Sequence, residues 1–275
     1  MSVPGRLPPD DRAVAWRAGV PPPPCALAAW GQALLPADHG PDRLWCPPSH
    51  GFAAETLGGW AASVSLSALE AVLQGVDLRP MLPDTLAGAV RSRQLSFLGG
   101  RLCARRALAH LVPAGGAAVG RDAQGAPQWP TGALGSITHT DAQAHALVVP
   151  STACAGLGID SEPVVRSIAE VVELCCTPFE RAVWLARAAD PPGVATRIFS
   201  LKEAFYKAAQ PIVRRFIEFQ EVEVSAGLLE GHEVRLRASR DDPLLSRLAD
   251  VALGQSRRPA SSDVVHSVVR IAASA

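Results

Sequence analysis

Segments with helical period alternate along this chain with short apolar or alternating segments, and that order narrows the possible folds most. Leu66, Leu69, Val72 and Leu73 share one face of a helix expected over 65–74. A longer helix is expected over 83–112, with Pro83 at its start and Leu86, Val90, Leu95, Leu98, Leu102 and Leu108 along it. A Gly/Pro-rich connection then leads into SITHT and AHALVVP, which read as two strands of a hairpin. GLGID, at 156–160, reads as a buried strand emerging into SEP. Helices follow at 166–175, 178–189 and 194–209, and FIEFQEVEVSAG, HEVRLRAS and VVHSVVRIAA read as strands. Helix, strands, helices, strands is the order of an α/β (α+β) protein with two halves of similar content. Phe97-x₃-Arg101-x₃-Arg105 and Phe199-x₃-Glu203-x₃-Lys207 share a spacing that hints at internal duplication.

Residues 1–60, which hold the run PPPP at 21–24, show no sustained period and are expected to form an irregular arm. The first half-domain is then expected over 61–150 and the second over 151–275. With 275 residues, 48% of them hydrophobic, the chain can bury a substantial core. The formal net charge of zero gives no overall pull toward nucleic acid or an anionic membrane, so phosphate affinity must be local. Six scattered cysteines without a Cys-x-x-Cys pair fit free thiols in a reducing compartment. No stretch reads as a signal peptide or a membrane span, so a cytoplasmic protein is expected.

Candidate chemistry collects in a few places. Asp160 and Glu162, two apart at a strand end, fall on one side with Ser161 opposite. Two carboxylates held together suit a cation, and an oxygen donor set suits Mg²⁺. Against that stands an ordinary solvated strand end, since Asp-x-Glu is common. Glu203 and Lys207, at i and i+4, face the same way and would serve either as a surface ion pair or as a ligand and a cation for a metal-bound pyrophosphate. The 26 basic residues include only two lysines, Lys202 and Lys207, and the lone tyrosine, Tyr206, lies between them. Lys202 points off the Glu203–Lys207 face and is expected to tolerate arginine with a smaller loss than Lys207. His139, with Thr138 and Ser136 nearby, has no zinc-type partner in range and suits donation to a phosphate oxygen. Arg93, Arg101 and Arg105 lie near one face of the long helix, as a phosphate clamp or a solvated face.

FLGGRLCARRAL, GAPQWPTGALGSITHT, GLGIDSEP and FSLKEAFYKA, in this order and spacing, resemble the successive motifs of the 4′-phosphopantetheinyl transferase superfamily. The similarity is nearest to the bacterial siderophore-synthetase-activating, enterobactin synthetase component D-like branch. It runs from about Arg91 to Val224 and includes PIVRRFIEFQEVEV. The resemblance implies two half-domains related by a pseudo-twofold, coenzyme A in a cleft, and transfer of its 4′-phosphopantetheine arm to a serine of an apo carrier protein, releasing 3′,5′-ADP. It implies Mg²⁺, replaceable by Mn²⁺, on Asp160, Glu162 and the Ser161 main chain, with Glu203 completing the site. Glu203 and Lys207 become the catalytic pair: Glu203, directly or through a water, is the candidate general base, with a metal-bound water held by Glu162 as the alternative, and Lys207 stabilises or protonates the leaving phosphate. Arg93, Arg101, Arg121, Thr138 and His139, together with Asp160, Glu203 and Lys207, become coenzyme A contacts, and Ile217 lies near the pantetheine. A monomer serving nonribosomal-peptide, polyketide or other secondary-metabolite carriers is expected. Ser96 and Gln94 depart from the usual acidic residue and second arginine. Two other readings remain at this point: a different Mg²⁺ enzyme such as a phosphodiesterase or nuclease, and a non-catalytic carrier-binding module.

Overall fold

The computed structural model describes residues 45–46, 58–112, 119–122, 125–164, 168–229, 233–239, 241–257 and 263–273. The proline-rich arm expected over 1–60 lies outside these, apart from 45–46 and 58–60. The chain divides into two compact units that change over between Val149 and Pro150.

In the first unit, strand β1 (Trp45–Cys46) pairs with β2 (Trp60–Ser65), so regular structure starts earlier than the expected end of the arm. Ser65 then caps helix α1 (Leu66–Val72), its hydroxyl accepting from the Ala68 amide at 3.3 Å. The single helix expected over 83–112 is two helices, α2 (Asp84–Ala87) and α3 (Arg91–Leu111). The break falls at Gly88, which ends α2, and Val90 is extended before α3 begins. Buried Gln94 secures the junction by donating to the Leu86 and Ala87 carbonyls at 3.3 and 3.0 Å. Within the Gly/Pro-rich connection the structure adds a two-stranded ribbon, β3 (Gly120–Arg121) with β4 (Pro127–Gln128). Strands β5 (Ala133–His139) and β6 (Gln143–Pro150) form the expected hairpin, and the sheet order is β1-β2-β6-β5. Leu95, Leu98, Leu102 and Leu108 of α3 are buried in one core with Val64, Leu69, Ala144 and Val148.

The second unit has a five-stranded antiparallel sheet in the order β7-β11-β10-β9-β8. Strand β7 (Gly156–Pro163) is followed by helices α4 (Ala169–Cys175), α5 (Pro178–Val183) and α6 (Pro191–Val213). Helix α5 is shorter than expected because a separate 3₁₀ turn, Leu185–Arg187, follows it. Strands β8 (Val222–Ala226) and β9 (Val234–Ala238) match the alternating segments. Helix α7 (Pro243–Asp250) and strand β10 (Ala252–Arg257) were not expected, although Asp242-Pro243 carried a capping signal: the Asp242 carboxylate accepts from the Leu245 amide at 2.9 Å. Strand β11 (Val264–Ile271) pairs with all eight residues of β7.

Helix α6 lies against β7, and glycine makes that approach possible. A Cβ at Gly156 would overlap the Ala208 carbonyl oxygen, and one at Gly158 would overlap the Ala204 carbonyl oxygen. Helix backbone therefore rests directly on strand backbone, with alanines one turn apart on the helical side. Gly158→Ala forces backbone apart rather than a side-chain tip. It is expected to cost at least the about 1–3 kcal/mol usual for overpacking, read as a lower midpoint in thermal denaturation. An unchanged midpoint would mean the helix has slack.

Candidate active site

The close approach at Gly156 and Gly158 sets the chemistry of the second unit. Asp160 is the next residue on the same side of β7, so it faces the helix. Its carboxylate is nearly inaccessible and accepts from Lys207 Nζ at 2.7 Å. Lys207 also donates to the Ile159 carbonyl at 3.1 Å and keeps 28% of its side chain exposed. Glu203 lies one turn earlier on α6. Burial pushes its carboxyl above the usual range; Lys207 pulls it down, and the nearby Asp160 charge pushes it up. Glu162 is half-buried two residues beyond Asp160. Ser161, between them, turns to the other face and bonds His266 Nδ1 at 2.9 Å. Burial holds the His266 imidazole below its ordinary pKa, with the Asp160 charge acting in the opposite direction.

Asp160, Glu203 and Lys207 are thus brought together. Among the described residues no group of three or more His, Cys, Asp or Glu side chains is arranged so that it could hold a metal ion. The donor chemistry nevertheless fits a hard divalent ion: the candidate ligands are all oxygens, and the Asp160 charge adds to the cost of ionising Glu203, a cost that a cation beside them would offset. Because the pKa of Glu203 is raised, its contribution to stability is full below the ordinary carboxylate value and is lost as pH rises through the raised one. In metal-free protein, Glu203→Gln should therefore raise the melting temperature by a few degrees at neutral pH, with the difference shrinking as pH falls through that window. A lower melting temperature at neutral pH would count against the repulsion.

Lys202 has a different role. It is buried and donates to Glu180 Oε2 at 2.8 Å and to the Cys175 and Phe219 carbonyls at 2.6 and 2.8 Å. It does point away from the Glu203–Lys207 face, and three acceptors converging on one nitrogen argue against the expected tolerance of arginine, whose planar fork does not match them. Tyr206 lies beside Glu203: burial and then the Glu203 charge push its phenol up. The Tyr206 ring meets that of Phe216 at 5.6 Å, and Phe216 is 67% exposed. Ile217, expected near a ligand, is buried in the core of this unit. Its neighbour Phe216 was not singled out from sequence, where the RRF string resembles any polar loop.

In the first unit, Arg93 Nη1 donates to His139 Nε2 at 2.7 Å, which places the imidazole proton on Nδ1. Thr138, the preceding residue on β5, is buried. Two further guanidinium groups converge on one ring: Arg101 at 5.0 Å and Arg121 at 5.8 Å from the Phe97 centroid. Among the described residues Arg121 donates to neutral oxygens, Gly125 O at 3.1 Å and Thr85 Oγ1 at 3.3 Å. Arg101 Nη1 has no hydrogen-bond partner among the described residues. Burial, and then the Arg121 charge, push the Arg101 pKa down to about 10. Two cations sharing a ring with no carboxylate bonded to either among the described residues form a pair short of an anion. Arg105, expected on the same helix face, is half-buried, and its Nη1 also lacks a partner among these residues.

Comparison with known proteins identifies the class. The 4′-phosphopantetheinyl transferase N-terminal domain matches residues 62–149, and the 4′-phosphopantetheinyl transferase superfamily domain matches residues 156–251. The chain is 34% identical over 152 residues to the 4′-phosphopantetheinyl transferase Npt of Nocardia iowensis, covering 55% of this chain and 68% of that one. It is 39% identical over 144 residues to Svp of Streptomyces mobaraensis, covering 51% and 57%, and 33% identical over 152 residues to PptT of Mycobacterium tuberculosis, covering 55% and 66%. The crystal structure of Thermotoga maritima holo-[acyl-carrier-protein] synthase aligns over 44% of this chain and 65% of that one, at 21% identity and a TM-score of 0.36. The chain belongs to the 4′-phosphopantetheinyl transferase superfamily. Its activity is the transfer of phosphopantetheine to carrier proteins, with coenzyme A as the substrate.

Proposed function

We propose that Asp160, Glu203 and Lys207 form the reacting centre for attack of a carrier serine hydroxyl on the β-phosphorus of coenzyme A, with release of 3′,5′-ADP. The observation that carries this reading is the contact of Lys207 with Asp160, beside a Glu203 whose pKa is raised. Asp160, Glu162 and Glu203, with the Ser161 main-chain carbonyl, would hold Mg²⁺, and the ion would offset charge on the pyrophosphate. A carboxylate shifted toward neutrality suits Glu203 as the base that takes the serine proton. Lys207, anchored by Asp160 and the Ile159 carbonyl, presents a compact charge to the leaving phosphate. Arg93 with His139 and Thr138, and Arg101 with Arg121, are the proposed phosphate contacts of coenzyme A. Half-buried Tyr206 with exposed Phe216 is a better candidate for the pantetheine arm than buried Ile217. The reading extends to a cytoplasmic monomer acting on nonribosomal-peptide or polyketide carriers, with half-domains 61–150 and 151–275.

The test is incubation with Mg²⁺, coenzyme A and a panel of apo carriers from fatty-acid, polyketide and peptide systems, followed by intact-protein mass. A serine-linked gain of the phosphopantetheine mass, abolished by chelator, is expected. Cleavage of coenzyme A without any modified carrier would favour a phosphodiesterase. Arg101→Ala should weaken coenzyme A binding by about 1.5–3 kcal/mol, the range for charge-assisted hydrogen bonds. Calorimetric titration showing equal affinity would remove Arg101 from the contact set.

A further inference from the structure

Strand β7 is the outer strand of its sheet, and among the described residues its main chain is paired with one strand, β11. The strand carries Asp160 and Glu162 in its last four residues, and β11 supplies a side-chain tether there. Ser161, the residue between the carboxylates, pairs across the ladder with His266, and the Ser161 hydroxyl and His266 Nδ1 lie 2.9 Å apart. Both side chains are buried, Ser161 at 0% and His266 at 5% exposure. We propose that His266 is a positioning residue: by holding Ser161 to the far face, it fixes the twist of the strand end that directs Asp160 and Glu162 toward α6. Turning Ser161 about the strand axis would turn both carboxylates with it, because successive side chains alternate.

The first unit contains a built-in control. Ser63 pairs across β2 and β6 with His145, and Ser63 Oγ lies 2.7 Å from His145 Nδ1. The residues flanking Ser63 are Ala62 and Val64, so the same kind of tether there holds no carboxylates. The two bridges therefore separate a structural role from a positioning role.

The proposal rests on the metal reading above, and the experiment keeps the two apart. Mn²⁺ binding to the full-length protein is followed by the electron paramagnetic resonance signal of free Mn²⁺, alongside the Mg²⁺ dependence of transfer and the melting temperature. His266→Ala should weaken Mn²⁺ binding, and raise the Mg²⁺ concentration for half-maximal transfer, by about tenfold or more, as losses behind metal ligands do. Saturating Mg²⁺ should restore much of the rate, and His266→Asn, which keeps a polar group near the Nδ1 position, should lie close to wild type. His145→Ala should lower the melting temperature and leave both metal readouts unchanged. If His266→Ala does not fold, Ser161→Ala removes the same bond with less lost volume. Wild-type metal affinity in a folded His266→Ala or Ser161→Ala protein would overturn the positioning role. A wild type that neither binds Mn²⁺ nor requires Mg²⁺ would overturn the metal reading and this proposal with it.

Discussion

Lys202→Met is expected to remove about 3–5 kcal/mol of stability, the cost of leaving a buried charge without its partner. The partner is Glu180, which is fully buried. Its carboxylate accepts from Lys202 Nζ at 2.8 Å, from the Thr177 amide at 2.8 Å and from the Val224 amide at 2.7 Å. Burial pushes the Glu180 carboxyl up and the Lys202 charge pulls it back, so the carboxylate depends on the ammonium beside it. A loss of this size is a large share of the stability of a typical domain. Lys202→Arg should also destabilise, since a guanidinium cannot reproduce three short bonds that converge on one nitrogen. Urea denaturation reads both variants, and the double change Lys202→Met with Glu180→Leu should recover part of the loss. A single variant within about 0.5 kcal/mol of wild type, as for an ordinary surface substitution, would show the pair to be dispensable.

Lys207→Arg is expected to leave the fold intact and slow transfer by about 10²–10⁴-fold, the range for loss of a positioned acid–base group. Lys207 is partly exposed, so a larger head group can be accommodated toward solvent. The bond from Nζ to Asp160 at 2.7 Å places a single compact charge, which a guanidinium on a longer fork does not reproduce. Single-turnover transfer with saturating coenzyme A isolates the chemical step. Equal rates for variant and wild type would place the leaving-group cation elsewhere. The two lysines, five residues apart on one helix, are thus expected to answer arginine in opposite ways: the fold should tolerate it at Lys207 and should lose stability from it at Lys202.

Much of the site was legible in sequence because its parts are local. Period-two spacing puts Asp160 and Glu162 on one side of a strand, and a helical turn puts Glu203 and Lys207 on one side of a helix. Joining the two sets depended on Gly156 and Gly158 meeting Ala208 and Ala204, a packing relation across 46 to 52 residues that no local period encodes. The contacts of Lys202 and His266 were hidden for the same reason. Their partners Glu180 and Ser161 are 22 and 105 residues away, and only the fold brings them together. The single helix expected over 83–112 failed locally: the apolar period continues through Gly88, whereas the backbone does not. Helix α7 and strand β10 were missed because each is short, and the Asp242-Pro243 signal was not weighed.

The contrast between the two lysines also has a chemical consequence. The whole chain contains only these two ε-amines, and the side chain of Lys202 is 2% exposed whereas that of Lys207 is 28% exposed. An amine-directed acylating or reductive-alkylating reagent, which on most proteins marks a scatter of surface positions, has a single accessible lysine target here. General lysine chemistry thereby becomes site-directed chemistry at the proposed reacting centre. A reporter placed on Lys207 would sense whatever binds beside Asp160 at the end of β7.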